Sequence, residues 1–583
     1  MRLTASILAT WLQLSAVLAK KPCAGKKPNI VFVLTDDQDL HLQSMDYVPL
    51  IKKHLTDKGT SYKRHYCTTS QCCPSRVTLW TGKLAHNTNV TDVLPPWGKL
   101  MFLIFVDQGL NENWLPVWLQ EAGYDTYYTG KLFNSHSVDN YDKPFPAGWT
   151  GSDFLLDPFT YAYMTPWYQR NREPPVAHDG INTQTLISEK ALGFLDDAIS
   201  NRDKPFFIGI APIAPHSNMY IDENDVRAWG PPIPLDKHAH LFPDAQVPRT
   251  PNFNPDVESG GSWVRGLRKQ DDDVVEYNDH YYRERLRSLQ SVDELVDNVI
   301  KRLEAAKLLD NTYIIYTSDN GFHIGQHRMQ PGKMCGYEED INVPLIIRGP
   351  GVPEGEVSDV VTAHVDLAPT IMQLAGIPLR DDFDGAAIPL TKPEQKKAVN
   401  KRHEHVTVEF WGMAYMEGGV VFRGGETDVV LNNTYKSLRI IDVKKNDYNF
   451  YYSIWCNNEH ELYDMKTDPY QMTNLLHPTA KPPKTILGRP FEAVVARLDA
   501  LLFVLKSCKQ KTCVEPWRAL HPAGNVDNLK HALNQRFDDF YIKQQKKVRF
   551  ERCEAGLVID AEGPQFETDG LLYRDGSSWS EWT

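Results

Sequence analysis

After its first twenty or so residues this chain has no apolar run long enough to cross a bilayer, which takes about 20 residues. The stretch 101–106 is apolar but far too short, and it suggests no function. Long basic runs are missing too: stretches such as Lys20-Lys21 and Lys546-Lys547 are short, and the formal charge is −12. That balance argues against nucleic acid as a partner, and the missing spans argue against a membrane protein. No internal repeat is visible. The nine cysteines are an odd number, so full pairing in an oxidising compartment would leave one over.

An oxidising compartment is what the N-terminus suggests. Arg2 supplies a positive charge, an apolar stretch runs from about 7 to 18, and Val17 and Ala19 fit a small-residue cleavage site. Residues 1–19 read as a secretory signal, and the mature protein is expected outside the cell. Asn89-Val90-Thr91 and Asn432-Asn433-Thr434 are glycosylation sequons. Setting one cysteine aside leaves eight, enough for up to four disulfides, and Cys508 and Cys513 are near enough in sequence to close a small loop. With 583 residues and 42% hydrophobic content, the chain can bury a large core.

Short apolar runs at 29–35, 206–213, 313–317 and 343–347 stop at Asp36-Asp37, Pro215-His216, Asp319-Asn320-Gly321 and Gly349-Pro350-Gly351. Such runs read as buried parallel strands. Helical patterns lie between them, notably at 184–199 and 282–309. The expected fold class is α/β, a large mostly parallel sheet with helices on both faces. Its polar residues gather past the strands' C-terminal ends, where ligands bind. Beyond Leu374 the texture changes. The stretch 380–400 reads as a linker or surface loop, and 406–440 as short antiparallel strands. The tail from Cys508 reads as helical and polar. The predicted division is a catalytic domain over 20–400 and a smaller α+β subdomain with its tail over 401–583.

Asp36, Asp37, Asp319 and Asn320 form an oxygen-rich set suited to a hard divalent cation; calcium tolerates the irregular geometry such ligands give. Zinc would favour His or Cys, which these four do not offer. Asp39 reads better as a solvated loop residue. In Cys72-Cys73-Pro74-Ser75-Arg76, closing on Thr81-Gly82-Lys83, a cysteine precedes a proline suited to a helix's first turn. Its side chain would stand at a helix N-terminus, which favours anions. The plainer use of such a run is a buried cysteine pair.

The same run resembles the signature of the type I sulfatases, Cys-x-Pro-Ser-Arg followed by Thr-Gly. The motifs around Asp36, Cys72, His216, Asp319 and Lys333 follow in that family's order, over about residues 28 to 475. Glu461-Leu462-Tyr463-Asp464, Asp468-Pro469 and Asn474-Leu475 resemble its C-terminal pattern. The form of the motifs is similar to fungal secreted arylsulfatases and to N-acetylglucosamine-6-sulfatases.

The resemblance implies an alkaline-phosphatase-like sandwich that hydrolyses sulfate esters. It implies that a formylglycine-generating enzyme oxidises Cys72 to formylglycine (3-oxoalanine). The hydrate of that aldehyde would attack sulfur, with calcium held by Asp36, Asp37, Asp319, Asn320 and residue 72. Arg76, Lys131 and Lys333 match the family's cationic residues, which would neutralise sulfate oxygens. His216 matches the histidine beside the leaving group, placed to protonate the departing oxygen or to orient the ester. Asn134 is assigned to the substrate pocket, and His323 and His327 are candidates to line it.

Two departures stand out: Trp80 replaces the usual Leu or Met, and Phe133 stands where many sulfatases have a histidine. Two other readings compete: a phosphate or phosphonate ester hydrolase of the same superfold, and an inactive secreted carbohydrate-binding protein. Specificity is expected in the loops 95–114 and 222–263. Within and near them Trp114, Trp118 and Trp229 could stack on a ring, although core packing is the commoner use of each.

Overall fold

A computed structural model describes residues 26–93, 101–221, 227–418 and 429–574. The signal-like segment, and parts of the two specificity loops, lie outside those residues. No helix among the described residues is long and apolar enough to cross a membrane.

The main sheet has ten strands. In chain order they are β1 (Asn29–Thr35), β2 (Thr60–Tyr62), β3 (Asp125–Lys131), β4 (Gly151–Leu155), β5 (Trp167–Arg170), β6 (Val176–Ala177), β7 (Phe206–Ala211), β8 (Thr312–Ser318), β9 (Leu345–Arg348) and β10 (Glu356–Ser358). Across the sheet they run β10-β2-β9-β8-β1-β7-β3-β4-β5-β6. The centre, β8-β1-β7-β3-β4, is parallel. The run at 343–347, expected to be parallel like the others, becomes β9 and lies antiparallel to both β8 and β2. An apolar run fixes burial on both faces; it carries no information on direction.

β1 is wholly buried because each of its faces meets helices. Ile30, Phe32 and Leu34 pack with Cys73, Val77 and Trp80 of α1 (Cys72–Thr81). Val31 and Val33 pack on the other side with α2 (Thr183–Ser200) and α3 (Asp272–Ala305). The prediction for α2 holds to within a residue at each end. That for α3 starts ten residues late, because its first turns are polar and carry no apolar period; Asp271 caps them through its side chain.

A four-stranded antiparallel sheet, β11 (His405–Phe410), β12 (Tyr435–Ile441), β13 (Asn449–Trp455) and β14 (His460–Asp464), forms the second layer system. It packs under α4 (Phe491–Leu505). The tail is not polar in its packing: Trp517, Leu520, Phe537, Phe540 and Tyr541 bury into the same core. Its apolar residues are spread over short turns of helix, so no period betrays them. Nor is 380–400 all loop, since Lys392–Lys401 is a helix with a Thr391–Glu394 capping box. The segment at 101–106 is also helical, and Met101, Phe102 and Phe105 fill the core beside Trp114 and Phe133.

Two disulfides join described residues, Cys508–Cys513 as expected and Cys456–Cys553. Cys67, Cys73 and Cys335 are buried free thiols, so four bridges do not form among these residues. Cys67 donates instead to the Asp340 carbonyl, and Cys335 lies against Met329.

Candidate active site

β1 and β8 are in register up to Thr35 and Ser318, so the residues that follow them meet: Asp36 and Asp37 face Asp319 and Asn320. The Asp319 carboxylate accepts from the Asp37 amide at 3.0 Å and the Asn320 amide at 2.9 Å. Asn320 Nδ2 donates to Asp37 Oδ1 at 2.8 Å, while its Oδ1 is buried with no hydrogen-bond partner. Asp37 sits in the left-handed region at φ 64°, a cost the surroundings must hold in place. Arg285 of α3 does so by donating to the Asp37 carbonyl at 2.6 Å and the Pro215 carbonyl at 3.1 Å. The same guanidinium pairs with Asp39 at 3.3 Å. Asp39 is therefore buried and ion-paired, contrary to its reading as solvated.

α1 begins at Cys72, with Gln71 extended before it and Pro74 in its first turn. Cys72 Sγ lies 3.4 Å from Asp36 Oδ1, 3.9 Å from Asp37 Oδ1 and 3.4 Å from Lys333 Nζ. Burial and the Asp36 charge push its thiol well above the ordinary range. One turn on, Arg76 donates to Asp319 Oδ2 at 2.8 Å and the Lys131 carbonyl at 2.5 Å, and approaches Asp36 at 3.4 Å. Every one of these contacts is to the site's own framework. Lys131 ends β3 and reaches Asp36 Oδ2 at 2.6 Å. Gly130 before it has φ 100°, and a Cβ there would stand 2.1 Å from the Ala211 carbonyl of β7. Lys333 holds both Asp37 oxygens at 2.6 Å.

His216 Nε2 lies 3.5 Å from Asp37 Oδ2, and its ring stacks on Tyr161 at 4.1 Å. Burial and the Lys333 charge lower its pKa to about 4, so it is neutral near pH 7. Lys131 sits over the other part of this group, 4.7 Å from the Tyr161 ring centre. Asn134 donates to the Tyr161 hydroxyl at 2.7 Å. Phe133 points instead into the core against Phe105 and Trp114. Of the three tryptophans, Trp229 is the one at the site, 5.7 Å from the His216 ring; Trp114 and Trp118 are core residues.

His323 pairs with Asp340 at 2.8 Å and lines a small cavity with Lys333, Trp263, Met329, Tyr415 and Met416. His327 is not brought to the cluster by any contact: it bonds Ser259 at 2.8 Å and packs on Tyr337. Three further members escape sequence reading: Arg285, Tyr161 and Glu417, whose carboxylate lies 3.1 Å from Lys333. Nothing in their local sequence marks them. Ser75 was part of the motif without a role. It donates to the Asp319 carbonyl at 2.5 Å and bonds His364 at 2.7 Å, tying α1 to the end of β8.

The Asp36 and Asp37 carboxylates and the orphaned Asn320 Oδ1, beside two ammonium groups, fit a hard divalent cation; the Asp319 oxygens are held by Arg76 and by two backbone amides. Asp36, Asp37, Cys72 and His216 each place a ligand atom within 4.8 Å of the others.

Residues 28–377 match the family model described as Sulfatase. The chain belongs to the sulfatase family and is an enzyme, a sulfuric ester hydrolase. It is 38% identical over 550 residues to an arylsulfatase of Volvox carteri, covering 89% of this chain and 80% of that one. To the N-acetylglucosamine-6-sulfatase of Homo sapiens it is 29% identical over 518 residues, 84% of this chain and 86% of that one. Among solved structures, it is similar in fold to a protein in complex with its substrate D-glucosamine-2-N,6-O-disulfate. The TM-score is 0.60 at 23% identity, over 78% of this chain and 94% of that one.

Proposed function

We propose that this chain hydrolyses aryl sulfates with formylglycine made from Cys72 and calcium beside it. The observation that carries this reading is the setting of Cys72. A thiol pushed up by burial and by Asp36 is a poor nucleophile as it stands. Its position at a helix N-terminus, between two carboxylates and Lys333, suits an oxygen nucleophile that needs a cation and binds an anion. When present, formylglycine supplies a hydrated aldehyde hydroxyl, and calcium supplies the positive charge that makes it a nucleophile near neutral pH. Asp36, Asp37, Asp319 and Asn320 would hold the cation.

The rest falls to the chain's own side chains. Lys131 and Lys333 face the place where sulfate oxygens gather charge and stabilise it there. Arg76 braces Asp36 and Asp319, fixing the carboxylates. His216 Nε2 stands by the leaving oxygen; Nδ1 is held by the Ser217 carbonyl at 2.9 Å, which fixes the ring. Tyr161 holds the ring's other face. The aryl preference follows the arylsulfatase name of the Volvox relative. Asn89 and Asn432 are both exposed, as glycan acceptors on a secreted protein must be.

Mass spectrometry of the Cys72 peptide from secreted protein, with 4-nitrophenyl sulfate turnover on the same sample, tests the reading. An aldehyde or its hydrate with sulfate release is expected. An intact thiol in an active sample would overturn the nucleophile.

A further inference from the structure

Glu417 is a buried carboxylate that the reaction scheme above leaves unused. It is 1% exposed and is placed by its backbone, whose amide donates to the Pro331 carbonyl at 2.8 Å. One oxygen lies 3.1 Å from Lys333 Nζ, the other 3.0 Å from Ser217 Oγ and 3.9 Å from His216 Nε2. Tyr281 bonds Ser217 and donates to the Glu417 carbonyl at 3.2 Å. Tyr415 is the other ionisable neighbour, and burial, with Glu417 beside it, keeps that phenol protonated. Glu417 thus faces one cation and no second counter-charge.

Its effect on the charge of the site is large. Asp36, Asp37, Asp319 and Glu417 set four negative charges against the three positive charges of Arg76, Lys131 and Lys333. Asp39 and Arg285 cancel each other. The cluster carries one excess negative charge, and a bound divalent cation turns this into one excess positive charge. A sulfate monoester, a monoanion, brings that to neutrality. A phosphate monoester approaches two negative charges near neutral pH and leaves an excess. In a buried site of reduced dielectric, one uncompensated charge is costly.

We propose that Glu417 is a specificity-determining residue: by adding a fourth negative charge beside Lys333, it matches the site to monoanionic esters and disfavours dianionic ones. The inference rests on the function proposed above, in particular on one divalent cation in the site.

The test compares kcat/KM for 4-nitrophenyl sulfate and 4-nitrophenyl phosphate, with calcium present, in the wild type, Glu417→Gln and Glu417→Asp. Removing the charge should raise the phosphate-to-sulfate ratio by about tenfold or more. Glu417→Asp, which keeps the charge, should hold the ratio near that of the wild type. Equal losses on both substrates in a folded Glu417→Gln protein would reduce Glu417 to a packing residue and overturn the inference. A wild type with no sulfate turnover would sink the proposed function, and this inference with it. Should Glu417→Gln fail to fold, the wild type still decides. Inhibition by inorganic phosphate, relative to inorganic sulfate, should weaken as pH rises through phosphate's second ionisation. A flat ratio would overturn the inference.

Discussion

Arg285 shows how much of this site rests on residues that never touch the chemistry. One guanidinium fixes the left-handed Asp37, the loop before His216 and the buried Asp39. Arg285→Ala would strand Asp39 as a buried unpaired charge, at a cost of about 3–5 kcal/mol. It should also loosen Asp37: calcium affinity measured by equilibrium dialysis is expected to fall, and thermal unfolding to occur at lower temperature. Calcium affinity equal to the wild type would show that Asp37 holds its conformation unaided. On the proposed function, Cys72→Ala should abolish sulfate release while leaving calcium binding by the four proposed oxygen ligands detectable. At this scale the sequence is legible where chemistry demands a motif. Asp36, Asp37, Cys72, Lys131, His216, Asp319 and Lys333 all converge, because each follows a strand, ends one or sits in a short motif. Arg285 and Glu417 were hidden, because a single charged residue in a polar helix or loop resembles any solvated one.

Among the elements, α1 is the most constrained. All ten of its residues are buried, and it ends at Gly82 with φ 67°. A Cβ there would stand 2.5 Å from the Phe383 ring. Gly82→Ala therefore meets both strain and a clash, and should destabilise by about 1–3 kcal/mol in a denaturant titration. A neutral outcome would mean that Phe383 yields freely. Three of the five central strands, β1, β7 and β8, were readable to within two residues at their ends, since burial on both faces writes a continuous apolar run; β3 and β4, whose runs mix in Thr, Gly, Ser and Asp, were not. The direction of β9 was not, because direction is set by the connection and by pairing with β2, more than 280 residues earlier in the chain. The tail's packing was hidden for a related reason: its aromatic residues fill a core built from distant strands, without a local period.

Across the whole molecule, His86 links the segment after α1 to the C-terminal sheet. Its ring bonds Glu409 of β11 at 2.8 Å and the Cys508 carbonyl at 2.7 Å. Burial opposes its charge, but Glu409 outweighs burial and raises its pKa above 6.5. Glu409 is itself buried, yet His86 and Lys436 hold it down to about 2. The signs differ. The raised His86 contributes stability below its unfolded value and loses it as pH rises through the folded value. The lowered Glu409 contributes above its unfolded value of 4.5 and loses it as pH falls toward about 2. As pH rises from about 6.5 through the folded value, wild-type stability should therefore fall relative to His86→Asn, as read by denaturant midpoints. Parallel curves would show that His86 does not titrate in that window. Chelation of divalent cations should lower both activity and the unfolding temperature, with calcium restoring them.

The burial of Cys72, 3% exposed at the head of a helix with no exposed residue, bears on timing. Lys333, which closes over it at 3.4 Å, lies 261 residues downstream. On the proposed function, an oxidising enzyme meets this cysteine only while the chain is still open. Folding and oxidation are then in a race, run once per molecule. A chain that folds first is sealed with its thiol intact, so the active fraction of any preparation is decided during synthesis and cannot be raised afterwards without unfolding.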